Sequence, residues 1–198
     1  MHQITSEEVI YLKRCMILCL CIFCIMTTGC RTALDVSRNI AERYKTPLQA
    51  TIHVSTVSGI ACDYQLYCVV DNETSSVEIQ KPESVAGIKA TIHSQSCKIE
   101  YENLTLDSMM LNMRGMTPAD CFDQTIYCLR NEVPIHYSYE DKGETACICL
   151  TFEDTESGYT VKRQVWLNEK SMEILEAEYY LNDVLVMRMY VEELSFTE

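Results

Sequence analysis

From residue 48 onward the chain alternates. In 48–55, Leu48, Ala50, Ile52 and Val54 are apolar, with Gln49, Thr51, His53 and Ser55 polar between them, the period of two that marks a half-buried strand. Residues 62–70 repeat it, with Cys62, Tyr64, Leu66, Cys68 and Val70 against Asp63, Gln65 and Tyr67. Val77 and Ile79 carry a third strand that ends at Lys81-Pro82, and further strands fit 88–93, 96–101 and a short piece around Leu104 and Leu106. The C-terminal third predicts strands at 133–139, 145–152, 159–167, 172–181 and 184–194, joined by the turn residues Asp141-Lys142-Gly143, Glu156-Ser157-Gly158, Asn168-Glu169-Lys170 and Asn182-Asp183. Such tight turns imply that each of the last four strands pairs with its neighbour. Along 145–152, Ala146, Ile148, Leu150 and Phe152 form one apolar row and Cys147 and Cys149 a second, so this strand is expected to be central and covered on both faces.

Two stretches keep a helical period instead. In 32–45, Ala33, Val36, Ile40 and Tyr44 form a stripe, Thr32 is placed to cap with Asp35 three residues on, and Pro47 stops the helix. In 117–130, Thr117 is expected to cap, Pro118 to take the first helical position and Asp120 to sit near the positive helix end; Ala119, Phe122, Ile126 and Leu129 make the stripe, flanked by Cys121, Thr125 and Cys128. The fold class is therefore α+β, mainly β: one curved antiparallel sheet, an open half-barrel, covered by two helices on one face. No repeat or linker divides residues 30–198, which are expected to form a single domain.

The start of the chain follows neither period. Lys13-Arg14 precede an unbroken apolar run from Cys15 to Met26, and Thr27-Thr28-Gly29-Cys30 follow. A basic pair, a short apolar run and a small-residue exit make a secretion signal. The run is shorter than the roughly 20 residues of a spanning helix. Thr-Thr-Gly-Cys resembles the bacterial lipobox, with Thr27 in place of the usual Leu and Ile25 and Met26 giving apolar bulk just upstream. Residues 1–29 then form a lipoprotein signal peptide, and Cys30 is lipidated as the mature N-terminus. A diacylglyceryl group brings two chains, which stable anchoring requires.

The net charge is −13, and it stays so when residues 1–29 leave, because Lys13 and Arg14 offset Glu7 and Glu8. A surface this acidic excludes a nucleic-acid binder and gives no attraction to anionic lipid, so membrane attachment falls to the lipid on Cys30. Of twelve cysteines, seven lie beyond Cys30: Cys62, Cys68, Cys97, Cys121, Cys128, Cys147 and Cys149. An odd number cannot all pair, and none form a CxxC; most are expected to be buried, reduced thiols.

No catalytic constellation assembles. His53, His93 and His136 fall singly on polar strand faces, and there is no HExxH, GxSxG or P-loop. Glu173, Glu176, Glu178, Glu192 and Glu193 are expected to form an acidic, solvent-facing surface. No pattern calls for a metal or cofactor. The long strands of 159–194 carry Trp166, Tyr179, Tyr180 and Tyr190, aromatic anchors of the kind that hold a protein partner.

The layout as a whole resembles the LolA-like lipoprotein-sorting family in its Gram-positive lipoprotein form. The resemblance runs through the lipobox, Leu48-Gln49-Ala50-Thr51-Ile52-His53-Val54, Lys81-Pro82-Glu83-Ser84-Val85-Ala86-Gly87-Ile88 and the strand end Ile99-Glu100-Tyr101-Glu102. It continues through the Thr117-Pro118 helix, Val165-Trp166-Leu167-Asn168-Glu169-Lys170 and the hairpin over Leu181-Asn182-Asp183-Val184. Within that family the pattern is most similar to that of clostridial spore-germination lipoproteins. The resemblance implies a non-enzymatic protein on the extracytoplasmic face of the membrane. It also implies two roles: carrying acyl chains in the half-barrel, or supporting germination by partnering an amidase that modifies cortex peptidoglycan.

Overall fold

The structure is a computed structural model and describes residues 33–59, 61–71, 74–93, 96–109, 115–156 and 158–197. Helix α1 (Ala33–Tyr44) leads into strands β1 (Leu48–Thr56), β2 (Cys62–Val70), β3 (Thr74–Lys81), β4 (Lys89–His93), β5 (Ser96–Tyr101) and β6 (Leu104–Met109). Helix α2 (Cys121–Asn131) follows, and then β7 (His136–Lys142), β8 (Thr145–Glu156), β9 (Tyr159–Asn168), β10 (Ile174–Leu181) and β11 (Val184–Phe196). The eleven strands make one open antiparallel sheet in the order β6-β5-β4-β3-β2-β1-β11-β10-β9-β8-β7. Two meanders are thus joined where β1 meets β11. Because β6 and β7 are the opposite edges, the connection that carries α2 must cross the sheet, and it buries its apolar side on the way.

The alternating segments became strands at nearly the expected bounds. Where they are bulged the sheet bends, as between Thr51 and Ile52 opposite β11 and between Tyr179 and Tyr180 opposite the same strand. Val36, Ile40 and Tyr44 of α1 and Phe122, Ile126 and Leu129 of α2 meet Leu48, Ile52, Leu66, Val165 and Leu167 in one buried cluster on a single face of the sheet.

Three local expectations are corrected. Helix α2 begins at Cys121, not at Pro118, because the Asp120 carboxylate turns back on the preceding residues. It accepts the Gly115 N–H at 2.8 Å, the Thr117 N–H at 2.9 Å and the Thr117 hydroxyl at 2.6 Å. Thr117 therefore donates to Asp120 rather than capping the helix, and residues 115–120 form a turn. Strand β8 is apolar on both faces but not central, since only β7 lies beyond it. Its inner row joins the main core. Its outer row, Cys147 and Cys149, is covered by Trp166 and Leu175 in a small second cluster. Strand β7 also starts later than expected, at His136, which leaves Val133 and Ile135 exposed ahead of it.

Polar bonds fix the helices to the sheet. The buried Tyr44 hydroxyl donates to the Met172 carbonyl at 2.9 Å and accepts the Ile174 N–H at 3.0 Å. Burial pushes its pKa well up, so it remains a donor at neutral pH. The Arg130 guanidinium of α2 donates to the Tyr44 carbonyl at the end of α1 and, at 3.1 Å, to the Asp71 carbonyl. Tyr44→Phe keeps the edge-to-face contact with Phe196 at 5.6 Å but strands a buried N–H. The expected cost is about 1–3 kcal/mol in urea unfolding, whereas Tyr101→Phe, at an exposed ring, should be neutral.

Candidate interaction face

The register places two rows of side chains across the outer face, away from the helices. One runs His53, Tyr190, Glu176, Trp166, Cys149, Ser138; the next runs Ser55, Arg188, Glu178, Gln164, Thr151, His136. Each crosses six strands from β1 to β7. Paired positions in an antiparallel sheet hold side chains about 4.5–5.5 Å apart, so these rows are contiguous.

Charges and rings interlock along them. Lys142 Nζ lies 2.7 Å from a Glu176 carboxylate oxygen and 3.7 Å from the Trp166 ring centroid, while Trp166 Nε1 donates to Glu140 at 3.0 Å. Arg188 Nε donates to Glu178 at 2.7 Å. Lys162 lies 4.7 Å above the Tyr180 ring and 2.6 Å from Asp183. Glu176 and Glu178 are thus not solvated, as the sequence suggests, but buried within ion pairs.

Burial raises the Glu178 pKa, but bonds from Tyr180 and Arg188 outweigh it, and the net value falls below the usual carboxylate range. Burial, with the bond to Glu178, pushes Tyr180 up to about 12. A carboxyl with a depressed folded pKa stabilises above its unfolded value, near 4.3, and that stability is lost as pH falls through the folded value. Unfolding free energy should therefore decline below about pH 4.3 more steeply in wild type than in Arg188→Gln. Urea titrations at a series of pH values measure this, and parallel curves would contradict it.

The predicted anchors separate. Tyr190 is 43% exposed, Tyr180 is half-buried, and Trp166, 6% exposed, lies beneath Lys142. Tyr179 points the other way and is fully buried. Its hydroxyl lies 2.6 Å from Thr125 Oγ1 and donates to the Cys121 carbonyl at 3.0 Å, which ties β10 to α2. Neighbours on a strand face opposite ways, so the dipeptide Tyr179-Tyr180 could supply only one residue to this face. Lys142 and Arg188, which hold the glutamates, gave no signal in the sequence, because their pairing exists only in the register. Cys30 and the apolar run from Cys15 to Met26 lie outside the described residues.

The inner side of the half-barrel is occupied by the protein itself. Ile52, Leu66, Phe122, Ile126, Leu129 and Tyr179 are at most 2% exposed and pack together. Arg163 of β9 is fully buried on this side, its Nη1 2.7 Å from Asp154. Burial, then the charge of Asp154, raises the Glu132 carboxyl at the end of α2.

The seven cysteines carry no disulfide; Cys68, Cys121, Cys128, Cys147 and Cys149 are buried and Cys62 and Cys97 half-buried. Burial pushes Cys128 and Cys149 up to about 12. Native thiol titration should thus show at most two fast-reacting groups and denatured protein all seven beyond Cys30; five or more fast native thiols would contradict the packing. Among the described residues, no group of three or more His, Cys, Asp or Glu could hold a metal ion, and no helix is long and apolar enough to cross a membrane.

No protein-family model and no curated protein sequence matches the chain. Solved structures do. The chain is similar to an uncharacterised conserved protein from Thermus thermophilus, with 13% identity, TM-score 0.51, and 84% of this chain and 89% of that one covered. It is similar to a putative outer membrane lipoprotein-sorting protein domain from Vibrio parahaemolyticus, with 12% identity, TM-score 0.52, and coverage of 83% and 91%. The fold is LolA-like. A structure of the CwlD amidase from Clostridioides difficile in complex with the GerS lipoprotein aligns over 100% of this chain and 96% of that one, with 10% identity and a TM-score of 0.38, a likeness too low to bear on function.

Proposed function

We propose that the protein is a lipid-anchored, non-catalytic envelope lipoprotein that works by holding a protein partner on the outer face of β9–β11. The reading rests on one observation: the inner side is filled by α1, α2 and their core, whereas the aromatic and charged residues are arranged on the opposite face. A carrier of the LolA type needs room on the inner side for an acyl chain, and here Phe122, Ile126 and Tyr179 stand in it. The sequence resemblance to clostridial germination lipoproteins gives the finer reading: the partner is an amidase that modifies cortex peptidoglycan, and the protein serves in the spore envelope during germination. Tyr190, exposed and flanked by Arg188, is the natural hot spot, with Trp166 and Tyr180 behind it.

The test is affinity purification of wild type and of Arg188→Glu/Tyr190→Ala from sporulating cells, with partners identified by mass spectrometry and folding checked by circular dichroism. Loss of a central aromatic anchor costs about 2 kcal/mol or more, roughly 30-fold in affinity. The folded variant should lose the partner that wild type retains. Equal recovery of the same partner would refute the face. Anchoring is tested separately: Cys30→Ala should take up no fatty-acid analogue and leave the membrane fraction, because an apolar run of twelve cannot span. Label retained by Cys30→Ala would overturn it.

A further inference from the structure

A second outer-face feature lies away from Trp166 and Arg188. Where β1 meets both β2 and β11, a groove of about 370 Å³ is lined by Gln49, Thr51, Tyr67, Glu193 and Ser195 over Ala50 and Leu194. That volume falls at the small end of ligand sites. The β1–β11 bulge explains the groove. Thr51 pairs with Glu193 and Ile52 with Val191, so Glu192 is the extra residue. The bulge turns two successive glutamates outward. Glu192 is held by His53 Nε2 at 2.8 Å and Gln65 Nε2 at 3.2 Å. The Glu193 carboxylate has no hydrogen-bond or ion-pair partner among the described residues, and its ladder neighbour Thr51 sets it level with Tyr67 across the sheet.

We propose that this groove binds an oligosaccharide bearing free amino groups. The chemistry of the lining selects it. A pyranose offers an apolar C–H face to an aromatic ring, and Tyr67 stands as one wall. The Tyr67 hydroxyl donates to Gln49 Oε1 at 2.7 Å, which fixes the amide and leaves Nε2 to donate to a sugar oxygen. Thr51 and Ser195 hydroxyls donate or accept, as sugar hydroxyls require. Glu193 accepts from hydroxyls and pairs with an ammonium, an interaction stronger than one between neutral groups. An acetylated sugar leaves that carboxylate without its cation, and an acidic sugar is repelled by Glu192 and Glu193 together. A lysine peptide supplies the charge but neither the ring face nor the fan of hydroxyls.

The experiment is an NMR titration of the protein, reading amide shifts at Thr51, Tyr67 and Ser195, with glucosamine trimer, N-acetylglucosamine trimer and trilysine. Glucosamine trimer should bind at these residues. The acetylated trimer should bind at least tenfold more weakly, and trilysine should leave the three amides unmoved. Glu193→Gln should weaken glucosamine-trimer binding about tenfold, the loss of one charge-assisted bond, and Tyr67→Ala by roughly the same factor, through the apolar ring surface it no longer buries. Glu83→Gln, an exposed carboxylate elsewhere, should change nothing. Absent shifts in folded wild type would overturn the proposal. So would trilysine binding as well as the sugar, or unchanged binding in both variants. Partner capture through Arg188 and Tyr190 does not depend on these residues, so either reading can fail alone.

Discussion

Phe122→Ala is expected to lower unfolding free energy by about 3–5 kcal/mol, a large part of the roughly 5–15 kcal/mol available to a domain. Phe122 is 1% exposed on the first turn of α2 and belongs to the cluster that joins both helices to β1, β2, β9 and β10. Helix α2 crosses between the two sheet edges, so its packing is what makes two meanders one core. The nearby hydrogen bonds that join Tyr179 with Thr125 and the Cys121 carbonyl resist collapse of the side chain's space, which places the cost toward the upper end. Urea unfolding followed by circular dichroism measures it. A loss below about 1 kcal/mol would mean that the half-barrel is loosely filled, and the case for an occupied interior would fall with it.

Gly115→Ala is expected to cost about 2–5 kcal/mol, the sum of about 1–2 for a left-handed backbone and about 1–3 for overpacking. Gly115 has φ +77°, and a Cβ there would lie 2.8 Å from Gln124 Cβ and 3.3 Å from Arg163 Nε. Gln124 is buried on α2 and cannot retreat. Gly143 supplies the comparison, since it has φ +64° and open space around a Cβ. Gly143→Ala should show only the backbone part, about 1–2 kcal/mol. Equal losses at the two sites would remove the steric argument.

The fold was legible where burial alternates cleanly. Strand bounds at 62–70 and 96–101 followed directly from the period of two, and the stripes of Val36, Ile40, Phe122, Ile126 and Leu129 gave both helices. The start of α2 was not, because Asp120 satisfies either the helix or the turn before it, and only three dimensions show that it serves Gly115 and Thr117. The place of β8 was missed for a related reason. A row such as Cys147-Cys149 can be covered by side chains of its own sheet, here Trp166 held under Lys142, as well as by a second layer. The interaction face was half legible. Aromatics on long strands pointed to it, but Glu176 with Lys142 and Glu178 with Arg188 are pairs made by register between strands far apart in sequence.

The central claim is that a protein partner sits on the outer face while the inner side stays closed. The most direct test is photocrosslinking in sporulating cells with benzoylphenylalanine placed at Tyr190, 43% exposed on the outer face, and in a second variant at Tyr127, 44% exposed on α2. The account predicts a discrete protein adduct from position 190 and none from position 127. A protein or lipid adduct from position 127 with none from position 190 would contradict it.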